Sequence, residues 1–367
     1  GYHYPLVTGA DNIKKVWALR TAGLGLLSNV PGDRKGVPGV EDTAVAPQLL
    51  SAYIADFKKV LTELGLASIY YAHIATGEIH FRPLINFKDP ADVKIFETLM
   101  QKTAELVKKY RGSMSGEHGD GRVRGHFIPF MLGEHNYQLV KQVKKAWDPQ
   151  NILNPGKIVD TEPITDSLRV IPGKAVPEFS TTLDFSNYRG YFRSIEKCNG
   201  SGDCRKSEII GGTMCPTFMA TLDEDKSTRG RANILREFLY DSKAEKPFSQ
   251  KEIYDILDLC ISCKACKAEC PSNVDMAKIK AEFMQQYYDV HGIPLRSKLV
   301  AYLPRLNSLA VLVRPISNFM MNTSLLKKTI GFAHERTVPK LSKITMNRWR
   351  GNGIPLPQTE IKGKVYL

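Results

Sequence analysis

The run Cys260-Ile261-Ser262-Cys263-Lys264-Ala265-Cys266-Lys267-Ala268-Glu269-Cys270-Pro271 constrains this chain more than any other feature. Three thiols two residues apart let one short loop wrap three irons of a cubane cluster. The proline after the fourth starts a helix that directs that thiol elsewhere. The C-x2-C-x2-C-x3-C-P spacing is that of [4Fe–4S] binding, in which the fourth cysteine usually ligates a second cluster. Structural zinc favours two separated C-x2-C knuckles, not one contiguous run.

The crossing pattern predicts that Cys260, Cys263 and Cys266 take Cys215, in Cys215-Pro216, as their fourth ligand, while Cys198 and Cys204 share Cys270. The second set is one thiolate short. A three-iron cluster, an oxygen ligand from Asp203 or Ser201, and two buried free thiols with no second cluster are the open alternatives.

All seven cysteines follow residues 161–190, a stretch rich in Pro, Ser and Thr that reads as a linker. Residues 1–160 read as mixed α and β. Pro47 opens an amphipathic helix with Leu50, Ile54, Phe57, Leu61 and Leu64 on one face and Gly65 as its stop. Strand-like runs follow at 67–74 and 78–86, joined by a turn at Ala75–Gly77. Asp89-Pro90 caps a long helix with Val93, Phe96, Met100, Leu106 and Val107 inward. A further helix is expected near Glu134–Trp147. Residues 191–292 read as short helices around the cysteines, and residues 293–350 as helical and basic.

The 43% hydrophobic content and the 15 Tyr and 15 Phe exclude disorder over most of the 367 residues. No apolar run reaches the roughly 18 residues of a membrane-spanning helix. Residues 1–15 carry no apolar leader core, so the thiols are expected in a reducing, cytoplasmic compartment. Most of the net charge of +13 lies in residues 290–367, where the only acids are Glu335 and Glu360. That basic stretch suits a solvated face, an acidic partner or peripheral contact with the inner face of a membrane. No nucleic-acid motif accompanies it, so no nucleic acid is expected. The chain opens in a helix-like segment, Asp11–Arg20. It ends on Lys364–Leu367, which reads as the start of a strand after the loop Gly351–Pro357. Both ends are expected to continue into further domains.

His73 and His80 flank the proposed turn, and Glu117-His118 sits in Ser115-Gly116-Glu117-His118-Gly119-Asp120-Gly121. Each histidine alone is more often a satisfied structural residue. Together they suit one divalent ion, or a hydrogen-bonded base and its orienter without metal. Arg122 and Arg124 follow, either to hold carboxylates bidentately or as surface charge.

His73, His80, Gly116-Glu117-His118-Gly119 and Asp148-Pro149-Gln150-Asn151-Ile152-Leu153-Asn154-Pro155-Gly156-Lys157 resemble the C-terminal domain of FAD-linked oxidases of the vanillyl-alcohol-oxidase superfamily. Its members include D-lactate dehydrogenase, the glycolate oxidase flavin subunit and D-2-hydroxyglutarate dehydrogenase. The Cys215-Pro216 and Cys260–Pro271 groups resemble the iron–sulfur part of glycolate oxidase and anaerobic glycerol-3-phosphate dehydrogenase. One chain with both resembles the large bacterial FAD and iron–sulfur enzymes that oxidise D-2-hydroxyglutarate.

The resemblance implies an α+β fold: a ferredoxin-like antiparallel sheet with helices, capping the flavin over residues 1–160. An α-helical 4Fe-4S ferredoxin-type domain would occupy 191–292, and a basic helical tail 293–367 would lead to a further domain. His73, His80 and Glu117 would bind zinc or manganese, which polarises the substrate's hydroxyl and carboxylate. His118 would remove the hydroxyl proton while hydride leaves for the flavin, and Arg20 would clamp a carboxylate. Arg82 and Arg122 complete the expected substrate set, Arg82 standing where stand-alone 2-hydroxyglutarate enzymes have Asn. Their lysine before the Asp of the next strand also has no counterpart near Val40–Asp42. The FAD-binding domain and the later Cys-Cys-Gly domains of that family are not among these residues, so little FAD binding or turnover is expected of this stretch alone.

The implied whole is a homo-oligomeric flavin- and iron–sulfur-dependent dehydrogenase of a D-2-hydroxy acid of the 2-hydroxyglutarate, lactate or glycolate type. Electrons would leave FAD through a 4Fe-4S cluster for a quinone, a flavoprotein or a further iron–sulfur domain. The competing reading is an electron-transfer subunit whose cap-like half is only a docking scaffold.

Overall fold

The computed structural model describes residues 6–242 and 246–344. The strand start expected at Lys364–Leu367 and the loop Gly351–Pro357 lie outside them. The chain divides into two compact units, residues 1–283 and 284–367.

The first unit begins with helix α1 (Ala10–Ser28) and a four-stranded antiparallel sheet: β1 (Lys35–Gly36), β2 (Thr43–Ala44), β3 (Ser68–His73) and β4 (Glu78–Ile85). β4 is central, with β3 along one side and the short β1 and β2 end to end along the other. Side chains alternate across a strand. Ile79, Phe81 and Ile85 therefore enter the core, while Glu78, His80 and Arg82 face the other way.

Helices α2 (Leu50–Glu63) and α3 (Pro90–Lys109) cover the core face. Phe57 of α2 stacks on Phe81 at 3.8 Å between ring centroids, and Tyr53 closes edge-on at 6.1 Å. The Asp89 carboxylate accepts the Ala91 N–H (2.9 Å) and caps α3, with Pro90 at its first position. Helices α4 (Ile128–Leu132) and α5 (Glu134–Trp147) follow. Asp148 then accepts the N–H groups of Ile152 and Leu153 at 2.9 Å each, which folds the Pro- and Asn-rich turn after α5.

Residues 161–185 run without helix or strand but are strapped to both halves of the unit. Gly173 N donates to Lys88 O (2.8 Å) and Ile171 N to Tyr240 Oη (3.1 Å), while Thr182 N and Leu183 N donate to the Glu282 carboxylate (3.1 and 2.9 Å). Six helices then surround the cysteines: α6 (Tyr191–Glu196), α7 (Pro216–Thr221), α8 (Thr228–Asp241), α9 (Lys251–Asp258), α10 (Ala265–Glu269) and α11 (Met276–His291). The boundary between units falls inside α11.

Side chains also join the sheet half to the cysteine half, at two places among others in the described residues. Arg193 grips Asp33 with two hydrogen bonds (2.9 and 3.0 Å), and Lys88 bridges Asp33 (2.9 Å) and Glu196 (2.6 Å). Burial pushes Asp33 up, but the two cations win and hold it at about 2. The second contact is closer: a Cβ at Gly25 would stand 2.3 Å from Pro271 Cβ, so only glycine lets α1 touch the cysteine loop there. Asn29 Nδ2 donates to Pro271 O (3.2 Å) beside it.

In the second unit, α12 (Leu295–Ala301), α13 (Leu303–Ala310), α14 (Arg314–Met321) and α15 (Ser324–Thr329) are short. Among the described residues helix ends at Thr329, not near residue 350 as expected, because Gly331 takes a left-handed turn and the chain continues irregularly through Pro339. Leu309, Leu312 and Phe319 are exposed. No single described helix is long and apolar enough to cross a membrane.

The Phe57–Phe81 stack predicts that Phe81→Ala costs about 3–5 kcal/mol in urea unfolding followed by circular dichroism. A loss under about 1 kcal/mol would mean that other contacts carry the core.

Candidate functional site

The polar face of β3 and β4 builds the site. Register pairs Tyr71 with His80 and His73 with Glu78, so strand alternation brings these four side chains to one surface. Tyr71 stacks on His80 at 4.7 Å and fixes its ring. The loop 113–121 then carries Glu117 and His118 over this surface. Glu117 Oε1 lies 3.4 Å from His73 Nε2, 3.9 Å from His80 Nε2 and 3.2 Å from His118 Nε2.

One ligand atom from each of His73, Glu78, His80 and Glu117 lies within 4.8 Å of the others. His80 is 2% exposed, yet neither ring nitrogen makes a hydrogen bond; Glu78 Oε1 is also buried and unpaired, although it stands 3.2 Å from His80 Nε2. Such orphaned groups are expensive unless something binds them. Two imidazoles and two carboxylates suit a zinc or manganese ion. Burial, the Asp42 hydrogen bond and the charge of Glu117 push Glu78 up to about 7. Burial and the neighbouring His118 and His73 push His80 down to about 4. Without a cation Glu78 and His80 are thus both biased toward their neutral forms.

Asp42 holds the loop. Its wholly buried carboxylate accepts from Ser115 Oγ (2.7 Å), Glu117 N (2.8 Å), His118 N (2.9 Å) and Arg124 Nη1 (3.0 Å). Burial pushes Asp42 up, but the Ser115 hydroxyl and the two backbone donors hold it at about 2. A Cβ on Gly116 would meet Glu78 Cγ at 3.0 Å and Asp42 Oδ1 at 3.1 Å, so the loop lies close to the strand only as glycine. Asp42 also groups with Glu117 and His118, but its oxygens are taken up by these donors.

The arginines divide. Arg20 Nη2 lies 3.1 Å from His73 Nε2, with the guanidinium over Trp17 and Tyr71. Arg82 pairs with Glu41, and its Nε donates to Tyr71 Oη (3.1 Å). Arg124, read as a carboxylate holder or surface charge, holds the Asp42 carboxylate and donates to the Glu41 carbonyl (2.9 Å). Arg122 is half-buried and makes no such contact among the described residues. Sequence reading missed Glu78, Glu41, Asp42 and Tyr71. Glu78 was within reach, being two residues before His80 on the same strand.

A second site lies among the cysteines, none of which is in a disulfide. A recess is lined by Cys215, Cys260, Cys263 and Cys266, the four thiols that the crossing pattern groups. Left-handed backbone at Cys215, Ser262 and Lys264 winds both cysteine segments around it. Glu269 joins the segments: its carboxylate accepts Thr213 N (3.0 Å), Met214 N (3.1 Å) and the Thr213 hydroxyl, next to Cys215. Cys198 and Cys204 are buried, and burial pushes the Cys204 thiol up to about 11. Cys198 lies within electrostatic reach of Cys270, and Cys204 within reach of Cys215 first and Cys198 second. Of the two oxygen ligands considered, Asp203 pairs with Lys206 at 3.1 Å.

Two predictions follow from this geometry. Glu78 rises from 4.5 to about 7 on folding, so the metal-free protein loses the stability this carboxyl contributes as pH climbs through that window. Zinc or manganese added to chelator-treated protein should therefore raise the Tm more at pH 7.5 than at pH 5. At 100 times Kd the gain is about 2.7 kcal/mol. His80→Ala should abolish it, and an equal gain at both pH values would contradict the assignment. For the thiols, Cys215→Ser and Glu269→Ala should each lower iron and sulfide per chain after anaerobic purification. Unchanged iron in both would place the cluster elsewhere.

Comparison with known proteins agrees with both halves. Residues 4–158 match the family described as FAD linked oxidases, C-terminal domain, and residues 194–274 match the 4Fe-4S dicluster domain. The chain is 32% identical to a D-2-hydroxyglutarate dehydrogenase of Pseudomonas putida over 82% of its own length and 33% of that protein. It is 29% identical to the enzyme of that name from Escherichia coli, over 86% of this chain and 34% of that one. A D-lactate dehydrogenase of Archaeoglobus fulgidus is 34% identical over 35% of this chain and 28% of its own. The chain thus spans about a third of the length of the D-2-hydroxyglutarate dehydrogenases it matches. Residues 4–158 thus form an FAD-linked oxidase C-terminal domain, and residues 194–274 a 4Fe-4S dicluster domain.

Proposed function

We propose that this chain is the substrate cap and iron–sulfur part of a flavin-dependent dehydrogenase acting on a D-2-hydroxy acid. The observation that carries this reading is the convergence of His73, Glu78, His80 and Glu117 beside Arg20 and His118, in one compact unit with the four-thiol recess. The names of the relatives support the substrate class, 2-hydroxyglutarate or lactate.

A divalent ion held by His73, Glu78, His80 and Glu117 would supply Lewis-acid polarisation of the substrate's hydroxyl and carboxylate oxygens. FAD would supply the hydride-accepting chemistry, and a 4Fe-4S cluster held by Cys215, Cys260, Cys263 and Cys266 would supply one-electron transfer. The rest falls to the chain's own side chains. Arg20 binds the carboxylate at the mouth of the site. His118 Nε2 accepts the hydroxyl proton. Its Nδ1 stands 3.8 Å from Glu41 and 3.9 Å from Asp42, whose charges favour the imidazolium that forms. Arg82 holds Glu41 beneath that ring. Arg122 has no carboxylate partner among the described residues, and we assign it the distal carboxylate of a longer substrate. The acceptor in this proposal is a quinone, a flavoprotein or a further iron–sulfur domain, met in the cytoplasm or at the membrane's inner face. A homo-oligomer belongs to the same proposal.

In the full-length protein, His118→Gln should lower kcat for D-2-hydroxyglutarate or D-lactate by about 10²–10⁴-fold. Arg20→Lys should mainly raise KM. His126→Gln, exposed in the same stretch, should change neither. If His118→Gln and His80→Ala both left turnover intact, the cap half would be a docking scaffold for an electron-transfer subunit.

A further inference from the structure

Arg231 of α8 is 1% exposed and is the largest wholly buried side chain among the described residues. Its Nε donates to Ile256 O (3.1 Å), and its Nη1 to Lys226 O (2.6 Å) and Thr217 Oγ1 (3.2 Å), with Cys215 Sγ 3.8 Å away. Nη2 is buried and has no partner. No carboxylate pairs with this cation among the described residues. A buried charge with neither counter-ion nor a full set of acceptors is among the costliest arrangements a fold can keep.

Tying carbonyls 226 and 256 to α8 explains Nε and Nη1 but leaves Nη2 and the charge unexplained. The recess explains both. Arg231 lines it together with Cys215, Cys260, Cys263 and Cys266. Four thiolates there, with the sulfides of a cluster, are the anions and acceptors that the guanidinium lacks.

We propose that Arg231 is the fixed counter-charge of the cluster held by Cys215, Cys260, Cys263 and Cys266, donating from Nη2 to its sulfur and setting its reduction potential. The proposal rests on the reading of those four thiols as cluster ligands. One-electron reduction adds one negative charge to the cluster, and a buried cation beside it stabilises that state over the oxidised one. Hydrogen bonds to sulfur tune the potential of iron–sulfur centres, as does net charge nearby. Arg231 thereby makes this centre the better electron acceptor. It is a positioning and tuning residue and touches no substrate.

The test is an EPR-monitored redox titration of the full-length, anaerobically purified protein, with iron and sulfide measured alongside. Arg231→Gln keeps a donor amide and loses the charge; Arg231→Lys keeps the charge and loses the planar fork. With iron at the wild-type level, Arg231→Gln should lower the ratio of reduced to oxidised cluster at fixed poise at least tenfold, about 59 mV for a one-electron couple. Arg231→Lys should shift it less than half as far. An Arg231→Gln protein with full iron and an unmoved potential overturns the proposal. The wild-type protein provides a reading that no folding defect can blur. With arginine labelled by nitrogen-15, pulsed EPR of the reduced cluster should show an arginine nitrogen coupled to the unpaired spin, and its absence overturns the proposal as well. A wild-type protein without iron or sulfide would instead remove the cluster reading beneath it.

Discussion

The two-residue period of β4 is the constraint on which the first unit rests. Ile79, Phe81 and Ile85 bury one face under α2 and α3, and the same backbone must then present Glu78, His80 and Arg82 on the other. Slipping the strand by one residue would empty the core and scatter the ligands together. Stability and chemistry are therefore not separable here. The stacked rings that hold the sheet on its helices also fix the height at which the imidazole of His80 stands.

A sheet face offers ligands from strands only, and the rest of the cage comes from a loop with little regular structure. What makes that loop rigid is a single buried acid. Asp42 draws in two backbone N–H groups, a hydroxyl and a guanidinium, and its own carbonyl accepts Gly116 N (2.7 Å). The negative charge at Asp42 costs desolvation, and its donors offset that cost. Its position beneath His118 also adds to the field around the base. One carboxylate thus shapes the loop and the electrostatics of the group it carries.

Much of this was legible in the residues. The spacing of Cys260 to Cys270 and the Cys215-Pro216 pair anticipate the recess, and the patterns at 47–65 and 90–107 anticipate α2 and α3, because helix periodicity and capping are local. His73, His80 and Glu117 stood out as chemistry-bearing types. Glu41 and Asp42 did not, because nothing local in Val40–Thr43 announces that a loop 75 residues later will fold onto it. The carboxylate that Arg124 holds could not be named for the same reason: Asp42 is distant in sequence. Arg231 lies in an ordinary amphipathic helix, and only burial reveals that its charge has nowhere else to go.

The contact of Gly25 and Asn29 with Pro271 gives α1 a second meaning, because the same helix puts Arg20 against His73. Five residues of α1 separate Arg20 from Gly25, an axial span of about 7.5 Å at 1.5 Å per residue. One helix therefore registers Arg20 and His73 against the loop that carries Cys270. The imidazole cluster at His73 and the cysteine loop are thus geared to each other by the pitch of a helix. An inserted residue between them would turn one end by about 100° relative to the other and break that alignment without altering a single ligand.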